Sequence, residues 1–292
     1  MNFIDISSWQ RGLDLKDLFA KNSNLDGVII KATGGVSGVQ STCDPWVQEL
    51  IALGKPWGFY HYLDDDYRHS SPEDEAEFFV KNCANYFGAG VPILDYEEPA
   101  KSRGTAYLKR ALDHVYALTG VKPVVYASLS TIYEQDFKAI AAAGYPLWLA
   151  QYANMKFTGI QETPWQSGSV KPFEGYVMHQ YASTGRLAGY NGNLDLDRFY
   201  GTIDDWKRLA SKIQNGSESI KKKADPQIVL DVLNDKYGRG KARARKLEVA
   251  GYDADSIQEK INELYTVAMD LIAIKKNAGA YFNCILKIAG VD

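Results

Sequence analysis

The sequence predicts an α/β barrel followed by a small, all-α helical module. About eight strand-like segments lie within roughly the first 205 residues, and helix-like segments separate the early ones. Polar residues stand where most of these strands end, as they do at the site-bearing face of such barrels. We therefore expect a barrel at residues 1–211, a linker at 212–225 and the helical module at 226–292.

The predicted strands carry the β-branched, aromatic and apolar residues typical of buried strands. In chain order they are Phe3–Trp9, Val28–Thr33, Pro56–Tyr62, Val91–Glu97, Val121–Ala127, Leu147–Tyr152, Gly175–Tyr181 and Leu194–Leu196. Helical patterns fill the early connections: Ser71 and Pro72 open one helix, and Gly120 ends another. The later connections, at 153–173 and 182–193, are loop-like and rich in glycine, so the last strands should lack full helices.

The chain changes character after residue 211. Asn215–Ser219 and the three successive lysines Lys221–Lys223 form a polar linker. Beyond it, three short helical patterns with glycines between them run to residue 264. Residues 265–292 add apolar positions that indicate one or two further helices.

Composition gives no sign of a nucleic acid, a membrane or a cofactor as a partner. The net charge is −3, and no apolar run approaches the length of a membrane span. Cys43, Cys83 and Cys284 are widely spaced and odd in number, which indicates reduced thiols and no metal site. The first residues lack the basic and apolar regions of a signal peptide, so we expect the chain to fold in a cytoplasm.

The segment Val91–Pro99 carries the chemistry. Alternation along its strand places Asp95 and Glu97 on one face, with Cα atoms roughly 6.5 Å apart. Two carboxylates held this close do not titrate independently, and glycoside hydrolysis needs an acid beside an anion. Taken alone, the Asp-x-Glu pattern also fits a metal-ligand pair or a solvated strand end.

Seven short motifs follow one another along residues 1 to about 205. They are Phe3–Ser7, Gly58–His61, Leu94–Glu97, Val125–Tyr126, Leu147–Ala150, His179–Tyr181 and Leu194–Leu196. In order and spacing they resemble glycoside hydrolase family 25, the N-acetylmuramidases (lysozymes) of bacteria and phages. The resemblance implies a (β/α)5β3 TIM-like barrel that cleaves the β-1,4 bond between N-acetylmuramic acid and N-acetylglucosamine. The chain departs from the family at Gly34, where an acid or amide is common, and at His179, where Trp is common.

A second resemblance covers residues 227–264. The matching residues are Tyr237–Gly240, Arg243, Leu247, Ala250–Asp253, Ile257–Gln258 and Ile261–Asn262. They are similar to the small cell-wall-binding repeat of some phage lysozymes, present here in one copy. We expect Arg243 and Tyr252 to contact glycan, and helix-surface or core packing is the alternative for both. Residues 265–292 could complete the core of the module or mediate self-association.

The first resemblance implies four catalytic carboxyl groups. Glu97 would be the general acid, and Asp95 the anion that orients the acetamido group of the substrate, the internal nucleophile. Asp5 and Asp195 come from the first and last strands, which adjoin when a barrel closes, and they would flank the same pocket. Asp197 is a rival to Asp195, and a strand-end hydrogen bond is the alternative role of Asp5.

Further polar and aromatic residues are candidate substrate contacts, with supporting or packing roles as the alternative. They are Lys31, His61, Tyr126 and Gln180 as hydrogen-bond donors, and Trp148 as a sugar platform, although core packing is the favoured interpretation of Trp148. The acidic triplet Asp64–Asp66 is interpreted as a solvated loop, because no calcium-loop spacing follows it.

These features predict a phage endolysin that hydrolyses Gram-positive peptidoglycan after release from the host cytoplasm through a holin. The alternative is an inactive barrel that serves as a cell-wall-binding protein, although the intact Asp95 and Glu97 argue against it. A metal-dependent hydrolase is disfavoured, because the chain has four histidines and no His-x-His pattern at the first strand.

Overall fold

The structure is a computed structural model. It describes residues 1–212, 226–234, 236–237, 243–244, 246–247, 250, 252 and 254–264. The chain divides into two units, Met1–Ile213 and Gln214–Asp292.

Within residues 1–212, nine strands form one sheet that closes on itself. They are β1 (Asn2–Ile6), β2 (Gly27–Gly34), β3 (Gly38–Val39), β4 (Trp57–Tyr62), β5 (Val91–Asp95), β6 (Val124–Ser128), β7 (Leu147–Ala150), β8 (Met178–Gly185) and β9 (Leu194–Phe199). The strand order is β1-β9-β8-β7-β6-β5-β4-β2-β3, and the pairing of β1 with β2 closes the barrel. The short β3 extends β2 as an antiparallel hairpin.

Helices cover the first part of the barrel, as the sequence predicts. They are α1 (Leu15–Lys21), α2 (Cys43–Ala52), α3 (Pro72–Asn82), α4 (Gly104–Thr119), α5 (Leu129–Glu134) and α6 (Lys138–Ala142). The connections 151–177 and 186–193 contain no helix. Strands β1, β2 and β4 to β8 pair in parallel with their neighbours, and β9 pairs antiparallel with both β8 and β1. The predicted (β/α)5β3 architecture is confirmed.

Local hydrogen bonds explain where several elements begin and end. Ser71 Oγ accepts a hydrogen bond of 3.1 Å from the Asp74 backbone N–H and caps α3. Ser7 and Gln10 form a reciprocal capping box that starts a 3₁₀ turn at Ser8–Gln10. The first strand therefore ends at Ile6, three residues before the predicted end at Trp9.

The barrel has an inner and an outer apolar layer, because side chains alternate along each strand. The outer layer packs between strands and helices, and the inner layer fills the barrel itself. Helix α7 (Ile203–Ala210) closes the amino-terminal end of the strands. Its Trp206 ring lies 4.3 Å from the Phe3 ring and 5.0 Å from the Phe199 ring, centre to centre. Trp206 Nε1 also donates a 3.1 Å hydrogen bond to the Trp57 carbonyl.

The second unit contains a small helical core. Helix α8 (Pro226–Leu233) and the helical residues 254–264 confirm the first and third predicted helices. The core consists of Ile228, Val229, Val232, Leu247, Ala254, Ile257 and Ile261. The linker segment 213–225 and residues 265–292, including Cys284 and the predicted self-association segment, lie outside the described residues. Among those described, no helix has the length and apolar character needed to cross a membrane.

Candidate active site

Five acidic side chains lie inside the barrel at the carboxyl ends of its parallel strands. Asp5 lies on β1, Asp95 ends β5, Glu97 follows two residues later, and Asp195 and Asp197 lie on β9. The pairing of β1 with β9 sets Asp5 opposite Asp195. The charge of Glu97 acts on Asp5, Asp95 and Asp195. The four predicted catalytic residues thus share one site with Asp197. Among the described residues, no three or more His, Cys, Asp or Glu side chains are arranged to hold a metal ion.

Asp95 and Glu97 differ in how far they are enclosed. Asp95 is buried, and its Oδ1 has no hydrogen-bond partner in the part of the chain that the structure describes. Burial, and then the charge of Glu97, raises the pKa of Asp95 well above its usual range. Burial also raises the pKa of Glu97, while a hydrogen bond with Tyr126 and the charges of Lys101 and Lys31 lower it. Burial is therefore the largest cause of the raised pKa of both acids, ahead of any neighbouring charge.

The two acids of β9 lie at different depths. Asp195 is partly exposed, whereas Asp197 is fully buried and its Oδ1 accepts a 3.0 Å hydrogen bond from Trp148 Nε1. Burial, with the charge of Glu97, raises the pKa of Asp195 to about 7. Of the two rivals left open by the sequence, Asp195 faces the opening and Asp197 lies beneath it.

Gln180 holds the site together from β8. Its Nε2 donates a 2.6 Å hydrogen bond to Asp5 Oδ2. Its Oε1 accepts hydrogen bonds from the hydroxyl groups of Tyr126, at 2.8 Å, and Tyr152. Because the amide is used in this way at both ends, Gln180 positions Asp5 and the two tyrosines, and a donor role towards substrate stays a prediction.

Lys31 lies between the acid pair and a further carboxylate. Its Nζ is 2.8 Å from Asp65 Oδ2, and its charge lowers the pKa of both Asp95 and Glu97. A Cβ atom at Gly34 would come within 2.3 Å of that same Asp65 oxygen. The departure from the family pattern at Gly34 is therefore matched by an acid that the neighbouring loop supplies.

The prediction that His61 contacts substrate is wrong. His61 is fully buried, with Nδ1 2.8 Å from Thr33 Oγ1 and Nε2 2.8 Å from Glu75 Oε2 on α3. Alternation along β4 turns His61 towards the helices and turns Tyr60 and Tyr62 into the barrel.

Trp148 packs in the core, which is the interpretation favoured from the sequence, and does not offer an open sugar platform. Its ring faces the barrel interior but is only 2% exposed. It packs edge-on against Tyr126, 4.7 Å between ring centres, and donates its N–H to Asp197. Trp148 is therefore part of the packed floor beneath the site.

The acidic triplet after β4 is not the solvated loop that the sequence suggested. Asp64 is fully buried, accepts a 2.8 Å hydrogen bond from the His69 backbone N–H and lies 2.6 Å from Nδ1 of that ring. Asp66 accepts a 2.8 Å hydrogen bond from Ser37 Oγ. Asp65 pairs with the lysine of β2, so Asp65 and Asp66 tie this loop to β2 and to the loop that follows it, while Asp64 holds the loop itself together.

Sequence reasoning missed three tyrosines of the site, Tyr60, Tyr62 and Tyr152. Burial and the surrounding carboxylates raise the pKa of Tyr60 and of Tyr152, so both hydroxyl groups stay protonated. Tyr62 Oη donates a 2.6 Å hydrogen bond to the Glu98 carbonyl. Alternation along β4 predicts that Tyr60 and Tyr62 face the barrel interior. No pattern in the sequence predicts that Tyr152 lies beside Gln180.

Exposed aromatic rings lie on loops at the same end of the barrel as the acids. Trp9 follows β1, Tyr67 follows β4, and Phe157 lies beside the bridge between Thr158 and Gly185, at the carboxyl end of β8. Trp9 is the most open of them, at 90% exposure. Rings with free faces can pack against the apolar faces of sugars, so this end of the barrel offers both acids and stacking surfaces.

In the second unit, the two predicted glycan contacts lie beside the small core. Arg243 Nη2 donates a hydrogen bond to Gln258 Oε1. Tyr252 packs against the core and remains partly exposed. Their contact with glycan stays a prediction.

The barrel is closed at one end by aromatic packing. Its other end carries acids with a raised pKa and exposed aromatic rings, which is the arrangement that acid-assisted cleavage of a glycosidic bond requires. The class that this geometry defines is the glycoside hydrolases. Comparison with protein families agrees, because residues 4–190 match Glycosyl hydrolases family 25 and residues 226–265 match the CW_7 repeat. The chain belongs to glycosyl hydrolase family 25 and is an enzyme of the lysozyme (muramidase) type.

Known proteins resemble the chain over most of its length. The lysozyme of Streptococcus phage Cp-7 is 26% identical over 268 residues, which are 90% of this chain and 69% of the phage protein. The autolytic lysozyme of Clostridium acetobutylicum is 26% identical over 273 residues, covering 91% and 73%. The crystal structure of a bacterial lysozyme from Streptomyces coelicolor has a TM-score of 0.60 at 21% identity, covering 72% of this chain and 96% of that one. This last likeness supports the fold.

Proposed function

We propose that the enzyme hydrolyses the β-1,4 bond between N-acetylmuramic acid and N-acetylglucosamine in peptidoglycan. The observation that carries the proposal is the Asp95–Glu97 pair, in which the pKa of both acids is raised and Asp95 Oδ1 has no partner among the described residues. A buried oxygen of this kind calls for a donor. The acetamido N–H of an N-acetylated sugar is such a donor.

The chemistry follows from the two positions. Glu97 gives its proton to the glycosidic oxygen as the bond to the leaving sugar breaks. Asp95 accepts the acetamido N–H and orients that group, so that its carbonyl oxygen attacks the anomeric carbon as an internal nucleophile. Water then opens the cyclic intermediate, and Glu97 takes back the proton that this water loses.

Product analysis tests the bond assignment. Purified Gram-positive peptidoglycan is digested, and the products are reduced and examined by mass spectrometry. We expect new reducing ends on N-acetylmuramic acid. New reducing ends on N-acetylglucosamine, or new free amines from peptide cleavage, would contradict the proposal. Glu97→Gln is the matched control, because it removes the acid and keeps the shape.

We also propose that residues 226–292 anchor the enzyme on the wall. The CW_7 match and the helical core support this role. Linking a wall-binding unit to the barrel raises the local concentration of the barrel on an insoluble polymer. Removing residues 212–292 should therefore weaken lysis of whole cells far more than cleavage of soluble fragments. Equal losses on both substrates would refute the anchor, and sizing of the full chain tests the proposed self-association.

The biological setting is proposed to be phage lysis, with release from the host cytoplasm through a holin. The similarity to a phage lysozyme supports this setting, and the similarity to an autolytic lysozyme supports a bacterial autolysin as the second candidate. Expression in a Gram-positive host with and without a holin separates the two. Lysis that depends on the holin fits the endolysin, and lysis without it fits the autolysin.

A further inference from the structure

Asp5 and Asp197 lie on the paired strands β1 and β9, where Asp197 is in register with Phe3, two positions before Asp5. The pKa of each carboxyl group responds to the other. Two carboxylates can only accept hydrogen bonds, so a hydrogen bond between these two groups requires one proton. The other hydrogen bonds indicate where that proton lies. Asp5 Oδ2 accepts from Gln180 Nε2 at 2.6 Å, and Asp197 Oδ1 accepts from Trp148 Nε1 at 3.0 Å.

The remaining oxygen of Asp197 is the natural place for the proton. Asp197 is fully buried, and no donor from another described residue reaches its Oδ2. As a bare carboxylate oxygen this atom would be buried without a partner, which is costly. With a proton on it, the same atom becomes the donor to Asp5.

The surroundings of Asp197 favour the neutral form from every side. From β1 it faces the acid Asp5, and from its own strand the acid Asp195. From β8 it faces the neutral Gln180, with the phenol of Tyr181 near enough to respond to its charge, and from β7 the neutral indole of Trp148. The neighbouring cation on β9, Arg198, is engaged elsewhere, with Asn2 and Glu162.

We propose that Asp197 is a positioning residue that stays protonated at neutral pH and donates a hydrogen bond to Asp5, so that Asp5 keeps the negative charge and a fixed orientation. The effect on catalysis rests on the proposed function, whereas the bound proton does not. Asp197 would then act through Asp5, and Asp195 would be the β9 acid that meets substrate.

Replacement by the amide tests the proton directly. In Asp197→Asn, the side-chain amide can donate to Asp5 and its oxygen can accept from Trp148, but no proton titrates. Chemical unfolding of the full chain is measured from pH 5 to 8. We expect the folding equilibrium constant of the wild type, relative to Asp197→Asn, to fall tenfold per pH unit as long as Asp197 holds its proton, because the folded wild type binds one proton more than its unfolded state. Asp204→Asn, an exposed acid on α7, is the matched control and should show no such slope.

Kinetics then test the positioning role. Asp197→Asn should keep kcat within about threefold of the wild type at pH 6, whereas Asp197→Leu, which can make neither hydrogen bond, should lower kcat at least tenfold with little change in KM. Parallel pH slopes for the wild type and Asp197→Asn would overturn the proposal. So would a folded Asp197→Asn with kcat reduced a hundredfold, or an Asp197→Asn that fails to fold. If the wild type cleaves no glycan, the proposed function fails, but the stability slopes still report the proton.

Discussion

The same strands supply aromatic residues to one end of the barrel interior and acidic residues to the other. Strand β1 gives Phe3 to the closed end and Asp5 to the open end, and β9 gives Phe199 and Asp195 in the same way. At the closed end, aromatic rings pack around Trp206. At the open end, burial raises the pKa of the acids above that of free carboxyl groups. Because Phe3 and Asp5 are only two positions apart on β1, residues that stabilise the fold lie close to residues that react, and mutation should still separate the two effects.

The largest effect is expected at the open end, from Glu97→Gln. Loss of the general acid should lower kcat by roughly 10²–10⁴-fold, with little change in the free energy of unfolding. The measurement is turnover on soluble muropeptides. Glu98→Gln, on the exposed neighbour, should keep near-wild-type turnover. A folded, active Glu97→Gln would remove Glu97 from its assigned role.

At the closed end, Trp206→Ala should do the opposite. Removing this buried ring should lower the free energy of unfolding by about 3–5 kcal/mol, while the folded fraction keeps its specific activity. Urea unfolding and activity below the unfolding transition measure the two quantities. Lys207→Ala, exposed on the same helix, should change stability by less than about 0.5 kcal/mol. Loss of activity in fully folded Trp206→Ala would show that the ends are coupled.

A smaller effect concerns the pH dependence of stability. The pKa of Asp195 is about 7 in the folded state and about 3.9 in an unfolded chain. Between these values the folded state holds a proton that the unfolded state has lost, so the free energy of unfolding falls as pH rises, by up to about 1.4 kcal/mol per unit. Asp195→Asn should flatten this slope between pH 4 and 7. An unchanged slope would mean that Asp195 is ionised throughout.

The smallest effect is expected from Asp65→Asn. The amide no longer balances the charge of Lys31, so Lys31 should stabilise the ionised forms of Asp95 and Glu97 more strongly. Their pKa values should fall, and the alkaline limb of the kcat/KM profile should move to lower pH by less than about one unit. Asp66→Asn, which leaves Lys31 untouched, is the control. A shift to higher pH, or an equal shift in the control, would argue against this coupling.

The strand pattern was enough to predict the barrel and the pairing of Asp95 with Glu97. Period-two alternation places both acids on one face, and the order of motifs places Asp5 and Asp195 at the closing seam. The same alternation along β4 turns His61 outward and Tyr60 inward, as the structure shows. Which side chains of a strand face inward can be predicted from the apolar residues beside them.

Depth along the barrel axis could not be predicted in this way. Trp148 and Asp195 both face inward, yet one lies in the floor and the other at the opening. Their depth depends on strand register, which long-range pairing fixes. The Asp5–Gln180 hydrogen bond joins residues 175 positions apart, and no local pattern encodes it.

The fit of Asp65 against Gly34 makes these two positions epistatic. A side chain added at 34 would collide with the Asp65 carboxylate, so a single-site scan should report position 34 as intolerant. The paired exchange of Gly34→Asp with Asp65→Gly would return the acid to β2 and clear the collision. An acid can therefore move between positions 34 and 65 only if one of the two positions is small at each step, so the tolerance of each position to mutation depends on the other.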